Sequence, residues 1–194
     1  MRYVLASSSP RRKDLMKFIS SDFLIDVSNV DEVVEEGLSP TEVTTHIAYQ
    51  KGCVVANRHK DDIVISADTI VVIDDLIIGK PKDEEDAKRI LKLLSGRTHY
   101  VHTAFYIFYK DKALNGLVTS NVIFNEINDK LIDEYVKSKS PLDKAGAYGF
   151  QDNEKYPLVH HVEGSIDNVI GFPVKEIKEK IQEMKQLFLL PTTD

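Results

Sequence analysis

Apolar positions along the chain fall into two spacings. Ile63 to Ile73 is nearly continuous and rich in β-branched residues, which predicts a central strand. Asp74-Asp75 then turns the chain into a short partner, Leu76 to Ile78. Arg2 to Ala6, Phe23 to Val27 and Leu158 to Val162 read as further strands. Thr98 to Tyr109 and Leu114 to Phe124 read as a hairpin around Lys110-Asp111-Lys112. Helical spacing takes over between them. Pro10 to Ile19 places Leu15, Met16 and Ile19 on one face. Ser39-Pro40-Thr41-Glu42 is a capping box with Pro at the first helical position, opening a helix to about Arg58. Asp83 caps a helix with Glu84, Glu85 and Asp86 in its first turn, where acids suit the dipole; it buries Ala87, Ile90, Leu91 and Leu94, and Gly96 stops it. Asn128 to Lys137 and Pro173 to Leu187 complete the set. Helices mixed with hairpins predict an α/β fold with a mixed sheet covered by helices. No Gly-, Ser- or Pro-rich linker divides the chain, so residues 1–194 are read as one domain.

Composition narrows the partners. Hydrophobic residues are 42% and charged residues 29%, enough apolar material for a core without a disulfide or metal staple. The net charge of −6 argues against a non-specific nucleic-acid binder and leaves a small anionic substrate open. Cys53 is the one cysteine, which excludes an intrachain disulfide and fits a reducing compartment. Tyr3-Val4-Leu5-Ala6 is too short for a signal-peptide core. The run from Ile63 is interrupted by Ser66, Asp68 and Thr69, so it is no membrane span. A cytoplasmic protein without a membrane or nucleic-acid polymer as partner is expected.

Several residues are placed where chemistry would need them. In Ser7-Ser8-Ser9-Pro10-Arg11-Arg12 a strand ends, three hydroxyls follow, and a helix starts with Ser9 as N-cap. Two arginines in a first turn oppose the dipole unless an anion comes there. Arginine also matches phosphate oxygens in pairs. The segment is either a triphosphate cradle or a capped surface helix with solvated arginines. Asp68 lies inside the most apolar strand, and burying its carboxylate is costly unless it is paired, metal-bound or open to a cleft. Lys51 shares a helix face with Val43, Ile47 and Val55, so it either snorkels out or reaches a buried anion. Lys80 stands between Gly79 and Pro81, outside any Walker A loop. Asp143 through Gln151 holds two glycines and two alanines, which allow close backbone approach, and the Gln151 amide could read a base edge; a tight turn with packed aromatics is the plainer reading. Asp31, Glu32, Glu35 and Glu36 cluster after a strand, where a divalent cation or simple solvation would each account for them. His160 and His161 are neighbours on a strand and point to opposite faces, as do His99 and His102, so neither is a ligand pair.

Taken in order, Leu5-Ala6-Ser7-Ser8-Ser9-Pro10-Arg11-Arg12, Ser66-Ala67-Asp68-Thr69, Gly79-Lys80-Pro81, Leu94-Ser95-Gly96-Arg97-Thr98-His99, Asp143 through Gln151 and Gly171-Phe172-Pro173 resemble the Maf (septum-formation) family over nearly the whole chain. The resemblance implies a nucleoside triphosphate pyrophosphatase that uses Mg²⁺ or Mn²⁺. The implied fold is a mixed twisted sheet flanked by helices, two lobes around a cleft, similar to inosine triphosphate pyrophosphatases. It implies Asp68 as proton acceptor. Ser7, Arg12, Lys51 and Lys80 become phosphate-site residues, and Glu32, with Asp68, a metal-site acid. Arg11, Thr69 and Gln151 match the set of the dTTP/UTP branch. A homodimer is compatible with the family. The sequence departs from the family pattern at Ser66, where Gly is common, and at Phe150, where Ile is common. It departs again at Asp152-Asn153-Glu154-Lys155-Tyr156, where many members are Gly-rich. Two competitors are a non-catalytic nucleotide-binding regulator of cell division acting through a protein partner, and a generic phosphatase releasing orthophosphate.

Overall fold

The computed structural model describes residues 1–29, 33 and 37–189. The described elements are β1 (Tyr3–Leu5), α1 (Pro10–Met16), β2 (Phe23–Ile25), α2 (Pro40–Arg58), β3 (Ile63–Ile73), β4 (Leu76–Ile78), α3 (Glu84–Leu94), β5 (Thr98–Tyr109), β6 (Lys112–Phe124), α4 (Asp129–Lys137), β7 (Val159–Glu163), α5 (Ile166–Ile170) and α6 (Val174–Leu189). Short 3₁₀ turns occupy Ser140–Asp143, Ala145–Ala147 and Phe150–Asp152. The mixed sheet runs β2-β1-β3-β5-β6-β7, with β4 paired to β3. β1 is parallel to both β2 and β3, while β4 on β3 and β7 on β6 are antiparallel.

The chain divides into two compact units. The first comprises Met1–Asp68, Thr103–Val118 and Gly171–Asp194; the second comprises Thr69–His102 and Thr119–Ile170. Each has its own apolar cluster. In the first, Val4, Ala6, Val55, Val64 and Phe108 pack α2 against the strands. In the second, Ile90, Leu91 and Leu94 of α3 meet Ile132, Tyr135 and Val136 of α4 over Val71, Val101 and Phe124.

Local chemistry explains most boundaries. Ser39 Oγ accepts from Glu42 N and the Glu42 carboxylate accepts from Ser39 N, completing the expected capping box. Asp83 caps α3, and Gly96 leaves it with φ +68°. Asp74 and Asp75, at φ 50° and 62°, make the two-residue turn between β3 and β4. α1 stops at Met16 rather than Ile19 because Phe18 N and Ile19 N bond three residues back, to Leu15 O and Met16 O. The β5–β6 turn is tighter than the sequence suggests, since Lys112 already belongs to β6. α5, five residues without a full apolar repeat, has no periodic signal to announce it.

Candidate active site

In the first unit, β1 and β3 run parallel with Leu5 opposite Ile65, and Ala6 N donates to Ile65 O at 2.8 Å. Ser7, two residues past Leu5, lies just beyond the carboxyl end of β1, and Asp68, three past Ile65, lies in the middle of β3 on the carboxyl side of the β1–β3 pairing. The end of β1 is on the side at which open parallel sheets bind ligands.

At Ser7 the chain turns into α1. Ser9 caps the helix, its Oγ accepting from Arg12 N at 3.4 Å. Buried Ser7 Oγ accepts from Ser9 N at 3.2 Å and from the Arg12 guanidinium at 3.3 Å. Arg12 Nε donates to Gly171 O at 2.9 Å. The second arginine of the first turn is thus tied into the fold, and the Gly171-Phe172-Pro173 segment gains a reason: Gly171, at φ +109°, presents its carbonyl to Arg12. Phe172 beside it is fully buried.

Asp68 is nearly buried, and Lys51 Nζ donates to its Oδ1 at 2.7 Å; the two side chains are 12% and 21% exposed. Lys51 therefore does not snorkel. It reaches the carboxylate because α2 approaches β3 closely. Ser66 Oγ donates to Ala48 O at 2.7 Å, and a Cβ added at Gly52 would meet Phe108 Cε2 at 2.2 Å and Ser66 Oγ at 2.3 Å. The missing side chain at Gly52 seats the helix one residue after Lys51. Sequence reasoning overlooked Gly52. A lone glycine inside a helical pattern was the available signal, since it usually has a packing reason.

The structure thus brings Ser7 to Arg12 and Lys51 to Asp68. Arg11 is half-buried on α1, and Thr69, half-buried, follows Asp68 on β3 as the first residue of the second unit. Lys80, exposed after β4, makes no ion pair among the described residues. Gln151 is exposed in the last 3₁₀ turn. Glu32, with Asp31, Glu35 and Glu36, lies outside the described residues. A hollow of about 480 Å³, lined by Leu38, Thr45, His46, Tyr49, Tyr106 and Leu117, contains none of these residues. Open volume therefore does not locate the site; the placement of charge does.

A model of the Maf-like protein family matches residues 2–184. The chain belongs to the Maf family. It is 40% identical over 185 residues to a dTTP/UTP pyrophosphatase of Bacillus cytotoxicus and 42% identical over the same length to one of Bacillus cereus, covering 95% of each partner and of itself. Among solved structures, a HAM1 protein from Coxiella burnetii superposes with a TM-score of 0.51 at 15% identity, covering 94% of this chain and 99% of that one. The Staphylococcus aureus Ham1 protein gives 0.50 at 15%, covering 95% and 100%. These two likenesses establish the fold. Among the described residues no helix is long and apolar enough to cross a membrane.

Proposed function

We propose that this Maf-family chain, residues 1–194 acting as one functional domain, is a nucleoside triphosphate pyrophosphatase that hydrolyses dTTP and UTP to the monophosphate and pyrophosphate. The observation that carries the reading is the Lys51–Asp68 pair in the middle of β3, on the same carboxyl side of the β1–β3 pairing as the Ser7–Arg12 turn that follows β1. The activity named for the Bacillus relatives supports it.

Water attacks the α-phosphorus, the bond from that phosphorus to the bridging oxygen breaks, and pyrophosphate leaves with that oxygen. Asp68, one oxygen held by Lys51, accepts the proton of the attacking water on the other and returns it to solvent. Ser7, Arg12, Lys51 and Lys80 bind and orient phosphate oxygens. Arg11, Thr69 and Gln151 set the base preference. Among the described residues no three metal-binding side chains cluster, and Asp68 offers a single carboxylate. Asp68, with Glu32 from outside the described residues, would hold a Mg²⁺ or Mn²⁺. Such a cation would neutralise charge on the departing pyrophosphate. The free thiol of Cys53 supports a cytoplasmic setting.

The test is a panel of nucleoside triphosphates with Mg²⁺, assayed separately for pyrophosphate and orthophosphate. Pyrophosphate release fastest with dTTP and UTP is expected. Orthophosphate release would make the protein a phosphatase. Binding without product would make it a nucleotide-binding regulator.

A further inference from the structure

In the second unit Asp152, the residue after Gln151, is bound into a network of side chains. Asp152 Oδ2 accepts from Tyr135 Oη and from Ser140 Oγ, both at 2.7 Å. An ionised carboxylate only accepts, so the Tyr135 hydroxyl must donate to it. That hydroxyl is then free to accept from Gly149 N, which lies 3.1 Å away. Tyr135 is fully buried on α4, so its end of the clasp is anchored in the core. The Asp152 backbone N–H returns to Gly149 O at 3.0 Å. The Lys144 ammonium donates to Ser140 Oγ at 3.0 Å and lies 3.9 Å from Asp152. Its methylenes run where a Cβ on Gly149 would sit, 2.6 Å from Lys144 Cε. One residue earlier, Tyr148 Oη meets His99 Nε2 at 2.7 Å.

The backbone is therefore pinned at 148, 149 and 152. Gln151 is the exposed residue within that stretch, and its side chain makes no hydrogen bond with described residues. An arrangement that spends a carboxylate and two hydroxyls on holding one turn leaves a single amide presented and unspent.

We infer that Asp152 is a positioning residue for base selection, fixing through Tyr135, Ser140 and Gly149 the place of the Gln151 amide. This rests on the reading of Gln151 as a base-contacting residue. A site built to hydrogen-bond one base discriminates through the position of that bond, so a loosened turn weakens preference before it weakens chemistry.

The experiment compares Asp152→Ala, Asp152→Asn, Gln151→Ala and the Gln151→Ala/Asp152→Ala pair, measuring kcat and KM for dTTP and dGTP alongside Tm. Asp152→Ala should lower the dTTP-over-dGTP ratio of kcat/KM about tenfold, the size of one misplaced hydrogen bond, chiefly through KM for dTTP. Asp152→Asn keeps an acceptor oxygen and should recover most of that ratio. Gln151→Ala should lose it as fully as the pair does, because the two act as one unit. A lowered Tm with unchanged KM and preference would make the clasp purely structural and overturn the inference. So would effects that multiply in the pair, or an unaltered preference in Gln151→Ala. Should the wild type release no pyrophosphate, the activity reading falls by itself; calorimetric binding of dTTP and dGTP to the same variants then decides the clasp by the same ratios.

Discussion

The Ser7–Asp68 end of the first unit and the 144–152 segment of the second are held by different means. In the first, backbone regularity does the placing: parallel strands in register, a capped helix, and a helix seated on a strand by Gly52. Charged groups then need only their own side-chain length to meet, as Lys51 meets Asp68. In the second, two short 3₁₀ turns supply little regular bonding; Tyr135 of α4 instead holds the Gly149 backbone and His99 of β5 holds the Tyr148 side chain. Regular elements suit groups that must bear charge at fixed separation. A turn braced by side chains suits a group that must be presented to a partner.

The sharpest way to break this contrast is to remove the charge that the regular frame positions. Asp68→Asn keeps an oxygen to accept from Lys51 but gives up the base. Turnover of dTTP should fall about 10² to 10⁴-fold, some 3 to 5 kcal/mol of barrier, with KM changed only a few-fold. Near wild-type turnover would remove Asp68 from the mechanism and leave its pairing with Lys51 a matter of stability alone.

Acid strikes the other region. His99 is fully buried between the edges of Phe124 and Tyr148, with ring centroids 5.2 and 5.3 Å away, and burial pushes its imidazole down from 6.5 to about 4. Nδ1 has no hydrogen-bond partner, and no carboxylate bonds to the ring among the described residues. Below pH 6.5 the unfolded chain takes up a proton that the folded chain refuses until about pH 4. Stability is therefore lost as pH falls through that window, by on the order of 3 kcal/mol at its lower end. Urea unfolding from pH 7 to pH 4 measures this loss, and His99→Gln should flatten it. An equal slope in the variant would place the proton uptake elsewhere.

What the sequence made legible follows the same division. The run Ile63–Ile73, the Ser39 capping box and the acidic start of α3 are local signals, and each element formed at the expected residues. Asp68 stood out because a carboxylate among β-branched residues is costly. The choice between a snorkelling and a paired Lys51 was not legible, since it turns on the helix-to-strand distance that Gly52 sets. Nor was the bond from Arg12 to Gly171, which joins residues 159 positions apart. The clasp at Asp152 was least accessible. Tyr135 lies at an apolar position of α4, and only tertiary contact reveals that its hydroxyl serves a turn beginning fourteen residues later.

Gly52 gives the finest test of the regular frame. Gly52→Ala adds a methyl that meets Phe108 and Ser66 well inside contact distance. Over-packing of this kind costs about 1 to 3 kcal/mol, and α2 must lift to relieve it. Because Lys51 rides on the same turn, kcat/KM should fall together with Tm, while the dTTP-over-dGTP ratio stays put. Ser66→Gly removes one of the two obstacles but also the buried bond to Ala48 O, so alone it destabilises. Combined with Gly52→Ala it should cost less than the two losses added, by about 0.5 to 1 kcal/mol of coupling. Strict additivity in that cycle would mean that α2 relaxes around the new methyl without pressing on β3, and that the Lys51–Asp68 distance is set by something other than this contact.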